Sequence, residues 1–293
     1  MDDIIFHENY ETVVCRFNTK GIIQFAASRL DGFIKHHHLI KEHKCDRLLI
    51  QFSELDQALE LLDKYEYTNQ ITEINFYPAG HVTEPIAVSE AFLLKFKNLQ
   101  SMQFSEGVTY KGVDFHKFDQ LTELRLVCDQ KNMSWVGHPS IQKLLLFKLK
   151  EKSLDFVRGM NIVNLHLAEC AMTSLSGIEY LENLESLRIE KARNLIDLSP
   201  IIKCKKLNRI RIFGYKKVTD WRFLAEKENW IEISLDTIDT FEYLLKLKDL
   251  KSLHASKVLD KNESALESNP KIMAEFKRKR ELTVEQRGAE QIW

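Results

Sequence analysis

From about residue 70 the chain repeats a six-residue pattern, apolar at positions one, four and six and mostly polar between. The copies are ITEINF from Ile71, LQSMQF from Leu99, LTELRL from Leu121, IQKLLL from Ile141, IVNLHL from Ile162, LESLRI from Leu184, LNRIRI from Leu207, WIEISL from Trp230 and LKSLHA from Leu250. Start to start, the steps are 28, 22, 20, 21, 22, 23, 23 and 20 residues. Strand side chains alternate, so positions four and six fall on one face of a short strand, and position one enters from the preceding turn. One such strand cannot bury itself. About nine of them stacked in parallel make a continuous sheet, each buried Leu or Ile contributing roughly 1.5–3 kcal/mol.

The segments between the strands carry a ladder of their own. It is clearest in Leu175, Ile178, Leu181, Leu184, Leu187 and Ile189, and again in Leu195, Leu198, Ile201, Leu207, Ile210 and Ile212. A spacing of three predicts 3₁₀-like or single helical turns on the return path. An ordinary α/β protein with crossover helices of about 15 residues is the competing organisation, and the number of registered copies weighs against it.

The stretch Leu175–Ile189 has the form LxxLxxLxxLxxLxL. With its registered copies it resembles the short-repeat members of the leucine-rich repeat family, over roughly residues 70 to 256. The resemblance implies an α/β fold: a leucine-rich repeat solenoid with a parallel sheet on the concave face, an α/β N-terminal cap and a helical C-terminal tail. The family usually carries Asn or Cys three residues after the sixth position. Here Cys170 fits that place, while the later copies have Ala192, Tyr215 and Ile238, so irregular turns are expected.

The ends read differently from the middle. Residues 1–66 are expected to form an α/β capping region, 67–257 the repeats, and 258–293 a helical cap or tail. In the first region the alternation from Tyr10 to Phe17 predicts a strand, and Asn18–Gly21 a turn. Ile22, Ile23, Ala26, Leu30, Phe33 and Ile34 follow helical spacing. Leu48–Phe52 predicts a second strand, with Ser53 as N-cap of a helix that buries Leu55, Ala58, Leu59 and Leu62. Near the C-terminus, Asn269-Pro270 opens an expected helix through Glu285 that carries the basic run Lys277–Arg280.

Composition narrows the function. The 293 residues are 44% hydrophobic, enough for a sizeable core, and the 42 basic and 43 acidic side chains leave a net charge of −1. That balance gives no global attraction to nucleic acid or an anionic membrane, and neither is expected as a partner. The start MDDIIFHENYETVVCRF lacks a basic n-region followed by an apolar run, and no 18-residue apolar stretch occurs, so a soluble, cytoplasmic protein is expected. The five cysteines, Cys15, Cys45, Cys128, Cys170 and Cys204, are scattered with no C-x-x-C pair, and are expected to be reduced.

Candidate chemistry is sparse. His36-His37-His38 with His43 is the most conspicuous polar cluster, yet adjacent helical residues point about 100° apart and cannot all reach one ion. These histidines are expected to be structural or on the surface, with no metal and no cofactor bound. The chain lacks the Gly-rich phosphate loops, H-E-x-x-H and G-x-S-x-G, and its 10 glycines are few for such loops. An enzyme built on the N-terminal α/β unit is the weakest of the functional readings.

What remains is the exposed side of the sheet, formed by positions three and five and the residue after position six. There Arg125, His166, Arg188, Arg209 and Arg211 lie among the apolar Leu145, Phe147 and Phe213, with Tyr215 beyond and Glu190, Glu232 and Asp236 interspersed. Arginine and aromatic side chains are enriched at binding hot spots, so these twelve residues are the expected protein-binding surface, unless loops or the ends cover the apolar ones. By analogy with leucine-rich repeat inhibitors and bacterial immunity proteins, the expected function is non-catalytic binding that occludes a cognate toxin or enzyme. A scaffold or regulatory adaptor is the alternative. An acidic or apolar partner would meet the arginines and aromatics, whereas a toxin with a basic cleft would meet the acids.

Overall fold

The computed structural model describes residues 3–8, 12–17, 21–80, 82–128, 131–214, 220–240, 242–244 and 246–258. The expected C-terminal helix with its basic run, and Tyr215, lie outside these residues. The chain divides into two compact units, residues 1–149 and 150–293.

In the first unit, strands β1 (Asp3–Glu8), β2 (Thr12–Phe17) and β3 (Ile22–Ala27) pair as an antiparallel meander. Helices α1 (Leu30–His36) and α2 (Leu39–Glu42) then return the chain to β4 (Arg47–Ile50), which lies parallel to β3. Helix α3 (Leu55–Lys64) and a 3₁₀ turn at Tyr67–Asn69 lead to β5 (Glu73–Phe76). The ladder continues in parallel through β7 (Ser101–Phe104), β9 (Glu123–Val127) and β10 (Lys143–Phe147). The 28-residue step is longer than the rest because it houses β6 (Ile86–Ala87) and α4 (Glu90–Leu93). β6 pairs separately with β8 (Val108–Thr109), and Ser89 Oγ caps α4 by accepting from the Phe92 amide at 3.1 Å.

Two expectations for the N-terminal region are corrected. Ile22–Ala27 is a strand rather than part of a helix, because Gln24, Phe25, Ala26 and Ala27 pair in register with Arg47–Ile50, burying Phe25 and Ala27 on the inner face. Sheet pairing thus overrides a pattern that is also compatible with helical spacing, and the helix begins at Leu30. Ser53 does not cap α3: Glu54 occupies the N-cap, and its Oε2 accepts from both the amide and the hydroxyl of Ser53, at 3.0 and 3.2 Å. Residues 45–50 also prove to be a copy of the hexad, with Cys45, Leu48 and Ile50 buried at positions one, four and six. The parallel ladder therefore reaches back into the region expected to be only a cap.

The second unit holds β11 (Asn164–Ala168), β12 (Ser186–Glu190), β13 (Arg209–Phe213), β14 (Glu232–Ile238) and β15 (Ser252–Val258), each parallel to the next. Its return segments are the predicted tight turns, 3₁₀ at Asp155–Val157, Ile178–Tyr180, Ser199–Lys203 and Arg222–Glu226. In both units every hexad residue at positions one, four and six is buried, and so are both three-spaced return ladders. A parallel sheet built from hexads at this period, closed by short return turns, is the leucine-rich repeat arrangement. None of the described helices is long and apolar enough to cross a membrane.

The turns explain how the chain manages without the family's asparagine. The residue two places after position six takes a left-handed conformation in successive repeats of the second unit: Glu169 at φ 53°, Lys191 at 54° and Gly214 at 70°. This aims its amide at the next repeat. Glu169 donates to the Glu190 carbonyl and Lys191 to the Phe213 carbonyl, both at 2.8 Å, and the Gly214 amide donates to the Asp236 carboxylate. Backbone and carboxylate acceptors do the work of a buried amide side chain; at the family's Asn position Ala192 and Ile238 are buried apolar groups, and the buried Cys170 thiol donates to the Ala168 carbonyl at 3.4 Å.

Left-handed residues other than glycine carry strain of about 1 kcal/mol. Lys191→Gly is therefore expected to leave unfolding free energy within about 0.5 kcal/mol, since lost strain offsets the surface pair of Lys191 with Glu169 at 3.0 Å. Gly214→Ala is expected to cost about 1–2 kcal/mol, because its Cβ would stand 2.9 Å from the Lys191 nitrogen. Urea denaturation of the two variants distinguishes these outcomes.

Candidate functional site

The open face of the second unit is built from the alternation itself. With Leu187, Ile189, Ile210 and Ile212 locked inward, Arg188, Arg209 and Arg211 must project outward, and all three are exposed. Register sets their neighbours: His166 lies beside Arg188, Arg188 beside Arg211, and Arg211 beside Ser234, while Arg209 lies beside Glu232. Glu190 and Phe213 are likewise neighbours, both half-buried. The structure thus brings together seven of the predicted residues, His166, Arg188, Glu190, Arg209, Arg211, Phe213 and Glu232, on four adjacent strands. Asp236, also half-buried, sits one step past Leu235 with its carboxylate on the Gly214 amide.

The charges on this face are organised in pairs. Glu190 receives the Arg188 Nε at 2.6 Å, and Arg188 Nη2 also contacts it. The imidazole Nε2 of His166 stands 3.5 Å from the other carboxylate oxygen. His166, then Arg188, hold the Glu190 carboxyl down at about 2 against the opposing effect of partial burial. Arg211 Nε donates to Glu232 at 2.7 Å, with Ser234 Oγ at 3.5 Å from the same oxygen. Arg209 makes no ion pair among the described residues.

Glu190 gives a pH prediction with a definite sign. Its folded carboxyl lies at about 2 and the ordinary value is 4.5. The unfolded chain therefore binds the proton first, and the contribution, complete above about pH 4.5, is lost as pH falls towards 2. Glu190→Gln is expected to lower unfolding free energy by about 1–2 kcal/mol at pH 7, and to converge with the unsubstituted protein near pH 2. Urea melts across pH 2–7 measure it.

In the first unit, taken by itself, the outward positions of the strands carry Arg125, Leu145 and Phe147. Arg125 Nε and Nη2 both donate to Glu123 Oε1, at 2.9 and 2.7 Å, and Lys143 lies 3.5 Å from the second oxygen. Leu145 is the register neighbour of Arg125 and is half-buried. Phe147 is also half-buried, under the ammonium of Lys148 at 5.4 Å. Sequence reading missed the pair of Arg47 with Glu73, 2.5 Å apart and nearly enclosed at position three of adjacent strands. The signal was present in CDRLLI, a hexad headed by Cys rather than Leu.

Elsewhere the polar clusters hold structure together. His37 Nδ1 lies 3.1 Å from the Tyr67 hydroxyl and its ring packs on Tyr65 at 4.7 Å, while burial, then His38 and Lys64, lower its basicity. Among the described residues, no group of three or more His, Cys, Asp or Glu is placed to hold a metal ion. Burial pushes the thiols of Cys45 and Cys204 up to about 12, which keeps both protonated and poorly nucleophilic at neutral pH.

No protein-family model matches the chain, and no curated protein matches it in sequence. Among solved structures it is similar to internalin C2 of Listeria monocytogenes, 20% identical over 65% of this chain and 83% of that one, with a TM-score of 0.47. It is also similar to an internalin (inlF) of the same organism, 17% identical over 71% and 73% with a TM-score of 0.44. A Leptospira interrogans leucine-rich repeat protein, LIC12759, is 12% identical over 80% and 77%, with a TM-score of 0.40. The repeat assignment of this chain stands on its own strand register and buried hexad positions.

Proposed function

We propose that this chain is a non-catalytic protein-binding repeat protein of the cytoplasm, an immunity or inhibitor protein that occludes the active site or substrate surface of a cognate toxin or enzyme. The observation that carries the reading is the mounting of Arg188, Arg209, Arg211 and Phe213 in fixed register on neighbouring strands. Side chains on a rigid ladder lose little freedom on binding, which favours tight, specific association over a broad surface. Arginine and aromatic groups are those most often found at the centre of such interfaces.

The reading is tested with the full chain carrying Arg211→Ala and Phe213→Ala, its folding checked by thermal melt. Capture of the partner is expected to fall at least about tenfold, the equivalent of roughly 1.4 kcal/mol. Unchanged capture places the interface off this face. The immunity role itself is tested by co-expression with a toxin encoded directly upstream: growth is expected to be rescued by the natural chain and not by the double variant.

A further inference from the structure

The equal numbers of carboxylates and guanidinium groups on the open face of the second unit hide a layering. In each ion pair the carboxylate lies beneath and the guanidinium above: Glu232 has 17% of its side chain exposed and Arg211 51%, while Glu190 has 29% and Arg188 46%. The third acid, Asp236, is occupied by the Gly214 amide. Arg209 is exposed, with no ion-pair partner among the described residues. Each paired arginine still has N–H groups directed away from its carboxylate, since a guanidinium carries five and the pairs use one or two. A partner approaching this face therefore meets guanidinium first.

The nitrogen donors of this face also have a spacing. His166, Arg188 and Arg211 occupy one column on three adjacent strands, each in register with the next. Adjacent strands are about 4.8 Å apart, whereas same-face residues along one strand are about 6.6 Å apart. Acidic residues at i and i+4 of a helix have Cβ atoms about 5–6 Å apart, close to the cross-strand step.

From this layering and spacing we infer that the partner's docking element is an acidic helix, laid across β11–β13 with its carboxylates on the column of His166, Arg188 and Arg211 and a further one on Arg209. The inference rests on the reading of this face as a protein-binding surface, and it chooses an acidic partner over one with a basic cleft. A basic cleft would have to displace arginines already paired to Glu190 and Glu232 before meeting a carboxylate, leaving those charges unpaired.

The test uses the full chain and three labelled alanine-based peptides, read by fluorescence anisotropy. One carries glutamates at i, i+4 and i+8, the second lysines at those positions, and the third the same glutamates at alternating positions in a proline-interrupted, non-helical sequence. The expected result is saturable binding of the helical glutamate peptide, weakened by salt. Arg209→Glu should weaken it at least about tenfold, and Arg193→Glu, an exposed change off the face, should not. No saturable binding of the helical glutamate peptide, equal binding of the lysine peptide, or equal binding of the non-helical one overturns the inference. Capture of the natural partner that depends on Arg211 and Phe213 but survives Arg209→Glu also overturns it, while leaving the protein-binding reading intact.

Discussion

Gly177→Ala is expected to cost roughly 3–5 kcal/mol of unfolding free energy, a large share of what a domain of this size usually possesses. Two independent effects add at this position. Gly177 has φ 96°, a conformation that an L side chain adopts only under strain, at about 1–3 kcal/mol. An added methyl would also fall inside van der Waals contact with the Leu154 carbonyl group and the Asp155 nitrogen, its Cβ only 2.6 Å from the Leu154 oxygen. These are backbone atoms of the preceding repeat, and the Leu154 amide is itself bonded to the Ser176 carbonyl at 2.7 Å. No flexible side chain is there to yield, so the two repeats must separate. Chemical denaturation should show a midpoint well below that of the unsubstituted chain, and a shift of less than about 0.5 kcal/mol would show that the turns can spread.

Trp230→Ala should be comparably damaging, at about 3–5 kcal/mol. Trp230 fills position one of its hexad, where the other copies carry Leu or Ile, or Cys45 in the first, and it is fully buried. Its indole N–H donates to the Leu224 carbonyl at 2.8 Å, and the ammonium of Lys227 stands 5.5 Å from its ring centroid. Lys227 is itself buried, with no carboxylate partner among the described residues, its ammonium bonded to the Cys204 and Lys205 carbonyls at 2.9 and 3.1 Å. Truncation removes the side chain's packing, takes from the Leu224 carbonyl the shorter of its two donors, the other being the Lys227 amide at 3.4 Å, and removes the face on which this cation rests. Trp230→Leu restores the usual hexad residue yet should still cost about 1–3 kcal/mol, because the pocket is shaped for an indole. If Trp230→Leu equals the unsubstituted chain in urea, the indole contributes only bulk that its neighbours replace.

The strand ladder was legible because it depends on one local variable, the alternation of inward and outward side chains. Leu124 and Leu126, or Ile210 and Ile212, announce their own face, and the structure buries each of them. The N-terminal strands were harder to read. Ile22–Ala27 fits both a helical and a strand pattern over so short a run, and only pairing with Arg47–Ile50 decides between them. Which outward residues would assemble was legible from register; how they would interact was not. That Glu232 lies beneath Arg211, or that a carboxylate of Asp236 completes the turn at Gly214, depends on rotamers and left-handed turns that no periodicity encodes. Net charge illustrates the gap: the carboxylates and guanidinium groups on the second unit's open face balance in number, and only their depth gives the face its sign.

The most direct test of the account modifies arginines with phenylglyoxal in the free chain and in its complex with the captured partner, followed by mass spectrometry of each site. Arg188, Arg209 and Arg211 are predicted to react readily in the free chain and to be protected in the complex. Arg193 and Arg222, exposed outside the strands, should react at the same rate in both. Undiminished reaction at the three strand arginines, with protection at Arg193 or Arg222 instead, would contradict the open face as the binding surface.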